Sequence, residues 1–241
     1  MRGTVSDFFN RYADDYHEDA ARHPNAPFHT QTARMLEEHL TGSVLCVGGL
    51  WSLASLSNLR CRITVIDVSA AMLKKYREEG VRLVVGDARD LPFDTGTFDH
   101  LVLPLLLHHI TGPSVRSTRA GIRHVFREVG RVLRPRGQVW ISELCVSRPV
   151  YVAELAAAPL TRALLGVANV PFVIMHSAAA YCRALEQTGF TGVTVTRVRS
   201  RDARPTDLVR PVDGIEWLRV PRFMFPVTAT VLTGQKPGRP P

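Results

Sequence analysis

The sequence predicts an α/β protein in which helices cover a doubly wound, mostly parallel sheet. Apolar runs suited to strands alternate with runs suited to helices between residues 44 and 141. Such alternation is typical of parallel sheets with right-handed crossovers. Within it, a β-branched run ends in Gly86 and Asp87, and a second apolar run extends from Phe98 to Pro104. Two buried neighbouring strands that end in this way form a ligand crevice at one edge of an open sheet.

Local signals place the individual elements. Residues 7–40 are predicted to be helical, with a turn at 24–27, and Ser69 is the expected N-cap of the second core helix because its hydroxyl can bond an orphan amide. The RPRG run at 134–137 is expected to stop a helix and form a turn. Core strands are predicted at 44–47, 63–66, 83–85, 101–103 and 138–141, and core helices at 53–59, 70–79 and 115–133.

The last third of the chain departs from strict alternation. Polar residues and prolines at 200–220 indicate an insertion or lid, and the tail at 236–241 is expected to be disordered. Helices are predicted at 151–167 and at 177–188, where Ser177 is a good N-cap, and strands at 192–198 and 223–232, the last pairing antiparallel at the sheet edge. We predict a single domain over 1–241, made of a helical cap at 1–42, a core at 43–145, and substrate-side helices with an insertion at 146–222.

Composition favours a cytoplasmic protein without a nucleic-acid or membrane partner. The mean hydropathy is near zero, and the four cysteines are scattered without a C-x-x-C pair, as reduced thiols would be. The net charge of +8 comes almost entirely from arginines dispersed over 241 residues, which argues against a nucleic-acid surface. No uninterrupted apolar stretch approaches the roughly 20 residues of a membrane span, and the N-terminus lacks a secretory signal. Oligomeric state leaves no trace in the sequence.

Short motifs carry a resemblance to a known family. GDARDLPF at 86–93, FDHLVLPLLLHH at 98–109 and IDVSAAML at 66–73 together resemble the class I S-adenosylmethionine (SAM) dependent methyltransferases. FFNRYADDYHE at 8–18 is similar to the segment that lies over SAM in the ubiquinone/menaquinone type. The resemblance implies a seven-stranded, Rossmann-like methyltransferase fold with an N-terminal helical cap, SAM as cofactor, and a small-molecule substrate in biosynthesis.

The resemblance assigns the nucleoside part of the cofactor to two acidic residues. Asp67, at the end of the second strand and followed by Val68, can accept both ribose hydroxyls. A charge that interacts with the dipole of the next helix is the alternative interpretation. Asp87 resembles the carboxylate that bonds the adenine amino group, with Ala88 supplying the adjacent amide, although an Asx turn would also explain it. Pro104 ends the fourth strand at the same crevice.

The glycine loop after the first strand departs from the family pattern. Cys46 stands at the position of the acidic residue, Leu50 and Ser52 replace two of three glycines, and Gly48 remains with Gly49 beside it. Glycines there let the backbone approach the methionine part of the cofactor. A thiol cannot bind the cofactor's ammonium unless the pKa of that thiol is strongly lowered. We therefore expect the reactive half of the site to be unusual.

Aromatic and titratable residues complete the predicted site. Tyr12 and Tyr16 share a helix face, from which they either attract the sulfonium by cation–π contact or pack the cap onto the core. His108 and His109 follow the fourth strand at the mouth of the crevice, where an imidazole is a candidate general base. Glu143 ends the fifth strand and is a candidate for orienting the substrate. No metal is expected, because these histidines lack partners at ligand spacing.

The sequence therefore favours a SAM-dependent methyltransferase of small-molecule, specialised metabolism. One alternative is a SAM-cyclising enzyme that attacks the γ-carbon of SAM, releases methylthioadenosine and forms 1-aminocyclopropane-1-carboxylate or azetidine-2-carboxylate; the altered residues at 46–52 favour it. Another is a non-catalytic protein that has lost SAM binding, against which Asp67 and Asp87 argue. An RNA methyltransferase is a weaker interpretation, because 103–106 reads LPLL in place of an N/D-P-P-Y/F motif.

Overall fold

A computed structural model describes residues 5–18, 26–48, 61–74, 80–167, 172–198, 208–209, 220–221 and 226–238. The helix predicted at 53–59 lies outside these residues, as does most of the insertion predicted at 200–220. Within the helices, the side chains at 12, 14–18 and 26–30 are also outside the description.

Seven strands form one mostly parallel sheet, as the sequence predicts. The described strands are β1 (Gly42–Val47), β2 (Cys61–Asp67), β3 (Arg82–Val85), β4 (Phe98–Pro104), β5 (Leu133–Val146), β6 (Thr191–Arg197), β7 (Leu208–Val209), β8 (Val220–Pro221) and β9 (Val227–Gln235). The order across the large sheet is β3-β2-β1-β4-β5-β9-β6, and β7 pairs only with β8. The first five strands are parallel to one another. The sheet therefore has its switch point between β1 and β4.

The final strand lies inside the sheet and not at its edge, so the predicted edge position is wrong. β9 is antiparallel, as expected, but it pairs with β5 on one side and β6 on the other. The burial of the two strands explains this order. Four consecutive residues of β9, at 229–232, are buried, whereas most of β6 is exposed. The more apolar strand takes the inner position, where neighbouring strands satisfy its backbone on both sides.

Helices cover both faces of the sheet. The described helices are α1 (Val5–Glu18), α2 (Ala26–Glu37), α3 (Ala70–Lys74), α4 (Val115–Val132), α5 (Arg148–Val167) and α6 (Ala178–Gln187). Leu45 and Val47 of β1 pack in a core cluster with residues of α4 and α6, and Val44 and Cys46 pack in a second cluster with residues of α2 and α3. Successive side chains of one strand thus point to opposite layers.

The structure tests the N-cap residues that the sequence predicts for α3 and α6. Ser69 caps α3, since its hydroxyl accepts the amide hydrogen of Met72 at 3.1 Å. Ser177 occupies the N-cap position of α6, but its side chain makes no capping hydrogen bond. Ser114 forms a reciprocal capping box with Ser117 at the start of α4, a signal that the sequence interpretation missed.

The run at 134–137 stops a helix, but it does not form a separate turn before the next strand. α4 ends at Val132, and the very next residue, Leu133, already pairs with Phe98 of β4. The ladder is irregular between this pair and the next one, and Arg136 has a φ of 66°. Arg134 donates to both oxygens of Asp99 at 2.8 Å. The predicted turn is therefore a bulge within β5: residues 134–137 have no partner in the β4 ladder, and backbone bonds with Lys236 and the ion pair of Arg134 hold them beside the sheet.

Helix α5 presents an apolar face to the outside. Val152, Leu160, Leu164 and Val167 are between 62% and 87% exposed. Among the described residues, this helix is the one that is long and apolar enough to cross a membrane, with a mean hydropathy of 1.4 over an 18-residue window. A single helix of this kind also occurs in soluble proteins. The absence of a membrane partner therefore stays a prediction.

Candidate functional site

A cavity of about 380 Å³ lies at the carboxyl ends of β1 to β4. This is the switch point of the sheet, where open α/β sheets bind ligands. The volume falls within the range of roughly 300–1,000 Å³ that is usual for small-molecule and cofactor sites. The structure brings seven of the residues predicted from sequence to this cavity, namely Gly48, Asp67, Val68, Asp87, Ala88, Pro104 and His109.

The N-terminal helix α1 forms one wall of the cavity. Ser6 and Phe9 line it, and the Ser6 hydroxyl donates to the carbonyl oxygen of Val68 at 2.9 Å. Asn10 accepts a hydrogen bond of 2.7 Å from the Ser69 hydroxyl. These bonds fasten the helical cap to the loop that follows β2.

The aromatic contact predicted for the cap cannot be placed at the expected residues. Tyr12 and Tyr16 belong to α1, but their side chains lie outside the described part of the chain. The described phenyl ring at the cavity wall is that of Phe9. Phe9 lies in the FFNRYADDYHE segment, but the sequence did not lead us to predict it as a site residue. Phe9 lies three residues after Ser6, and residues three apart share a helix face. That spacing is the sequence signal that places both residues on the side of α1 that faces the cavity.

Asp67 ends β2 with acceptor capacity left for a ligand. Its Oδ1 accepts the amide hydrogen of Ser69 at 2.7 Å. Within the described part of the chain, no other group bonds this carboxylate. Burial raises the pKa of Asp67, and the bond from Ser69 lowers that pKa by less, so the net shift is upward. A partly desolvated carboxylate of this kind gains from hydroxyl donors.

Asp87 is held by Arg89 two residues further on. The guanidinium donates to both carboxylate oxygens, at 3.0 Å to Oδ1 and 2.6 Å to Oδ2, and the amide of Arg89 donates to Oδ1 at 2.9 Å. Burial raises the pKa of Asp87, but the bonds and charge of Arg89 outweigh burial, so the pKa is lowered. The amide bond is the Asx turn that was the alternative interpretation. A ligand amino group would share these oxygens with Arg89.

Gly48 is the last described residue before the altered glycine loop. It has a φ of +78°, and a Cβ built on it would stand 2.6 Å from Cδ1 of Leu106. The left-handed backbone disfavours a larger residue here, and a Cβ would also require the Leu106 side chain to move. Gly49, Leu50 and Ser52 lie outside the described residues, so the structure places none of the substitutions in that loop.

Cys46 lies in the core and not at the cavity. Its side chain is 0% exposed and packs in the cluster on the α2 and α3 side, whereas the neighbouring Val47 lines the cavity. Burial, and to a lesser extent the charge of Asp67, raises the pKa of the Cys46 thiol. The thiol is therefore neutral at neutral pH. The structure does not bring this predicted cofactor residue together with the others, because strand alternation turns it to the opposite face.

Glu143 and His108 form a buried pair beside the cavity. Glu143 is 0% exposed; its Oε1 accepts the amide hydrogen of Leu107 at 2.5 Å, and its Oε2 lies 2.9 Å from Nδ1 of His108. A buried carboxylate is tolerated only when it is paired in this way. Neither partner is among the cavity-lining residues. Glu143 thus fixes the short turn at Leu107–His109 and does not reach the cavity itself.

His109 is the histidine that reaches the cavity. Its ring packs edge-on against Phe9 with centroids 5.1 Å apart, and it lies 4.1 Å from the ring of His108. Its Nδ1 is buried and has no hydrogen-bond partner among the described residues. Burial, and then the neighbouring charge of His108, lowers the pKa of His109 well below its ordinary value. The imidazole is therefore neutral at neutral pH and can accept a proton or a hydrogen bond.

Comparison with known proteins identifies the core of the chain. Residues 44–141 match the family described as a methyltransferase domain. The demethylmenaquinone methyltransferase of Corynebacterium kroppenstedtii is 32% identical over 126 residues, which make up 52% of this chain and 51% of that protein. The chain thus spans about half the length of this curated relative.

Solved structures share the fold over nearly the whole chain. A chain from the Haloferax volcanii complex of the Trm112 methyltransferase activator with a methyltransferase has a TM-score of 0.69 at 19% identity, covering 99% of this chain and 100% of that one. The [4+2]-cyclase SpnF has a TM-score of 0.64 at 14% identity, covering 99% and 98%. At such identities the likeness shows the fold alone, and one fold hosts different reactions.

Proposed function

We propose that the chain is a class I SAM-dependent methyltransferase, as its similarity to a methyltransferase domain over residues 44–141 supports, and that it transfers a methyl group from SAM to a small molecule bound at the 380 Å³ cavity. The observation that carries the proposal is the convergence of Asp67, Asp87 and His109 on this one cavity at the switch point of the sheet. We propose that the reaction belongs to specialised biosynthesis in the cytoplasm.

SAM is the cofactor of this family, and the described residues fit it. Asp67 would accept the ribose hydroxyls, using the capacity that Ser69 leaves open. Asp87 would accept the adenine amino group, and Gly48 leaves room for the methionine part. When bound, SAM supplies a methyl group on a positively charged sulfur, which makes that carbon electrophilic.

His109 is the residue that we assign to the acceptor. It is neutral at neutral pH, lines the cavity, and can accept a proton or a hydrogen bond from a hydroxyl, ammonium or acidic C–H group. Glu143 is a positioning residue, because it acts on His109 only through His108 and the amide of Leu107. Holding the acceptor in line with the methyl group is worth up to ~7–11 kcal/mol of the barrier.

The cavity walls favour an apolar acceptor. Val5, Phe9, Leu106 and Ile110 line the space near His109. A flat or apolar molecule with a single nucleophilic group matches such a wall, since a few polar groups then fix its orientation. The curated relative acts, by its name, on demethylmenaquinone. We propose an apolar small molecule as the acceptor and no nucleic-acid partner.

The cyclisation alternative gains no support from the described residues. It depends on the altered loop at 46–52, of which Cys46 packs in the core and 49–52 lie outside the described residues. The reaction products nevertheless separate the two functions, because cyclisation releases methylthioadenosine and methyl transfer releases S-adenosylhomocysteine.

Mass spectrometry of the products tests the proposal. The protein is incubated with SAM that carries a deuterated methyl group, alone and with apolar phenols, quinols and amines. We expect S-adenosylhomocysteine and one deuterated acceptor, with turnover reduced in Asp67→Asn and unchanged in Asp94→Asn, an exposed loop residue. Methylthioadenosine formed without an acceptor would establish the cyclase instead. Failure to bind either SAM or S-adenosylhomocysteine would leave the non-catalytic interpretation.

A further inference from the structure

A second pocket lies between α4, α5 and α6. Its volume is about 200 Å³, and it shares no lining residue with the cofactor cavity among the described residues. Arg119 and Arg123 of α4, Arg183 of α6 and Tyr151 of α5 surround it, and His176 and Tyr181 line it as well. This volume suits a compact group.

The buried residues of this pocket leave polar atoms unpaired. His176 is 2% exposed and Tyr181 is 1% exposed. In the part of the chain that the structure describes, neither Nε2 of His176 nor the hydroxyl of Tyr181 has a hydrogen-bond partner. An unpaired buried polar group is costly in a folded protein, so each of these atoms calls for a partner. A bound ligand would supply one.

The charge of the pocket selects the class of ligand. No aspartate or glutamate lines it, and none of its three arginines forms an ion pair with a described carboxylate. Arg119 donates to the hydroxyl of Tyr151 at 3.3 Å, which holds its guanidinium over the pocket. Burial, then the charges of Arg119 and His108, lowers the pKa of His176 to about 4, so this ring is neutral at neutral pH. All charge that lines the pocket is therefore positive.

We propose that this pocket binds a phosphate group, paired by the guanidinium groups of α4 and α6 and completed by the Tyr181 hydroxyl and the His176 ring. Donors on α4, on α6 and in the segment just before α6 line the pocket from different elements, which suits the several oxygens of a tetrahedral phosphate better than a planar carboxylate. The pocket shares no described lining residue with the cofactor cavity, so this proposal does not rest on the chemistry proposed there.

Titration with inorganic phosphate, followed by calorimetry on the full chain, tests this site. We expect one saturable site in the wild type and an affinity lower by about tenfold for each of Arg123→Gln and Arg183→Gln, because each removes a charge-assisted bond. Arg127→Gln, an exposed residue of the same helix α4 that does not line the pocket, is the matched control and should bind normally. S-adenosylhomocysteine affinity should be unchanged in all three variants. Absent saturation, or equal weakening by Arg127→Gln, would overturn the proposal.

Tyr181→Phe gives a second, independent result. Removing an unpaired buried hydroxyl should leave the melting temperature unchanged or higher in phosphate-free buffer. The same variant should show a smaller rise in melting temperature on addition of phosphate, whereas a rise equal to that of the wild type would contradict the proposal. Glycerol 3-phosphate is titrated alongside. Tighter binding than inorganic phosphate would identify a phosphorylated metabolite as the ligand, and weaker binding would identify free phosphate.

Discussion

The carboxylates of the cavity wall and the carboxylate buried beside the cavity are held in opposite ways. At the ends of β2 and β3, Asp67 and Asp87 stand at the cavity wall, where their hydrogen bonds can be exchanged for those of a ligand. At the ends of β4 and β5, Glu143 is fully buried, with both oxygens engaged by His108 and the amide of Leu107. The wall carboxylates thus keep acceptor atoms at the cavity, whereas Glu143 holds the turn that carries His109.

The two wall carboxylates also differ from each other. Among the described residues, the carboxylate of Asp67 accepts one hydrogen bond, and burial raises its pKa. Asp87 is bonded through both oxygens by Arg89, and its pKa is lowered despite burial. Asp67 and Asp87 both lie at strand ends, but their carboxylates therefore differ in hydrogen bonding and in pKa before any ligand binds. Asp67 gains donors when a ligand binds, whereas Asp87 must share the donors that it already has.

The largest expected effect is on the free energy of unfolding, when the buried partner of His108 is removed. Glu143→Ala should lower the free energy of unfolding by about 3–5 kcal/mol, because it leaves His108 and the Leu107 amide without their buried partner. Glu143→Gln should cost less, since an amide oxygen can still accept from Leu107. Urea denaturation measures both, with Glu186→Ala on the exposed face of α6 as control. A Glu143→Ala protein as stable as that control would refute the buried pair.

The next effect separates catalysis from binding. His109→Gln should reduce the rate of methyl transfer by about 100-fold, the lower end for loss of a general base, because a low pKa makes His109 a weak base. Its affinity for S-adenosylhomocysteine should stay within about twofold. The exposed His124→Gln on α4 is the control.

The pH dependence of the wild type tests the same assignment. His109 is neutral above its pKa, which lies well below 6.5, so this group should cause no loss of rate between about pH 8 and about pH 6. A fall in rate with a midpoint near 6.5 that disappears in His109→Gln would contradict the account.

A smaller effect concerns how each of the two wall carboxylates contributes to the stability of the folded protein. The pKa of Asp67 is raised, so its ionised form destabilises the protein above that pKa, and this cost vanishes below the unfolded value of 3.8. Asp67→Asn should therefore raise the melting temperature at pH 7 and leave it unchanged at a pH below 3.8. Thermal unfolding at both pH values measures the difference.

Asp87→Asn should have the opposite effect and lower the melting temperature at pH 7. Its lowered pKa contributes stability above 3.8 that is lost as the pH falls through the folded pKa. The ion pair with Arg89 is more than a third exposed, so the loss at pH 7 should stay below about 1 kcal/mol. If the melting temperatures of Asp67→Asn and Asp87→Asn at pH 7 shifted in the same direction, the two carboxylates would not differ in the way described.

The smallest effect concerns Arg89 itself. If the adenine amino group shares Asp87 with this arginine, Arg89→Ala should strengthen the binding of S-adenosylhomocysteine by about two- to fivefold, the value of an exposed ion pair. Arg116→Ala, an exposed arginine of α4, should have no effect. Weaker binding by Arg89→Ala would instead mean that Arg89 prepares Asp87 for its ligand.

The sequence predicts the fold well, and it places Asp67 and Asp87 at strand ends as the structure does, because the signals for both are local. β-branched runs that end in an acidic residue locate Asp67 and Asp87, and a hydroxyl before a helix identifies Ser69 as a cap. The order of strands and helices in the core follows from the same short patterns, as does the antiparallel pairing of β9. In these cases, one window of residues contains the whole signal.

The remainder depends on contacts between distant residues. Glu143 meets His108 across 35 positions, and no local pattern shows that this contact takes Glu143 away from the substrate. The burial that draws β9 inside the sheet depends likewise on residues far apart in the chain. Cys46 is a different case, since the alternation of β1 already implies that it and Val47 face opposite layers.

Titration with S-adenosylhomocysteine tests the central claim most directly. The double variant Asp67→Asn/Asp87→Asn is compared with Asp90→Asn/Asp94→Asn, which changes two exposed acids of the adjoining loop. We predict that the wild type and the loop variant bind alike, and that the wall variant binds about 100-fold more weakly or not at all, since two charged acceptors are lost. Equal binding by all three proteins would show that the ligand does not occupy this cavity.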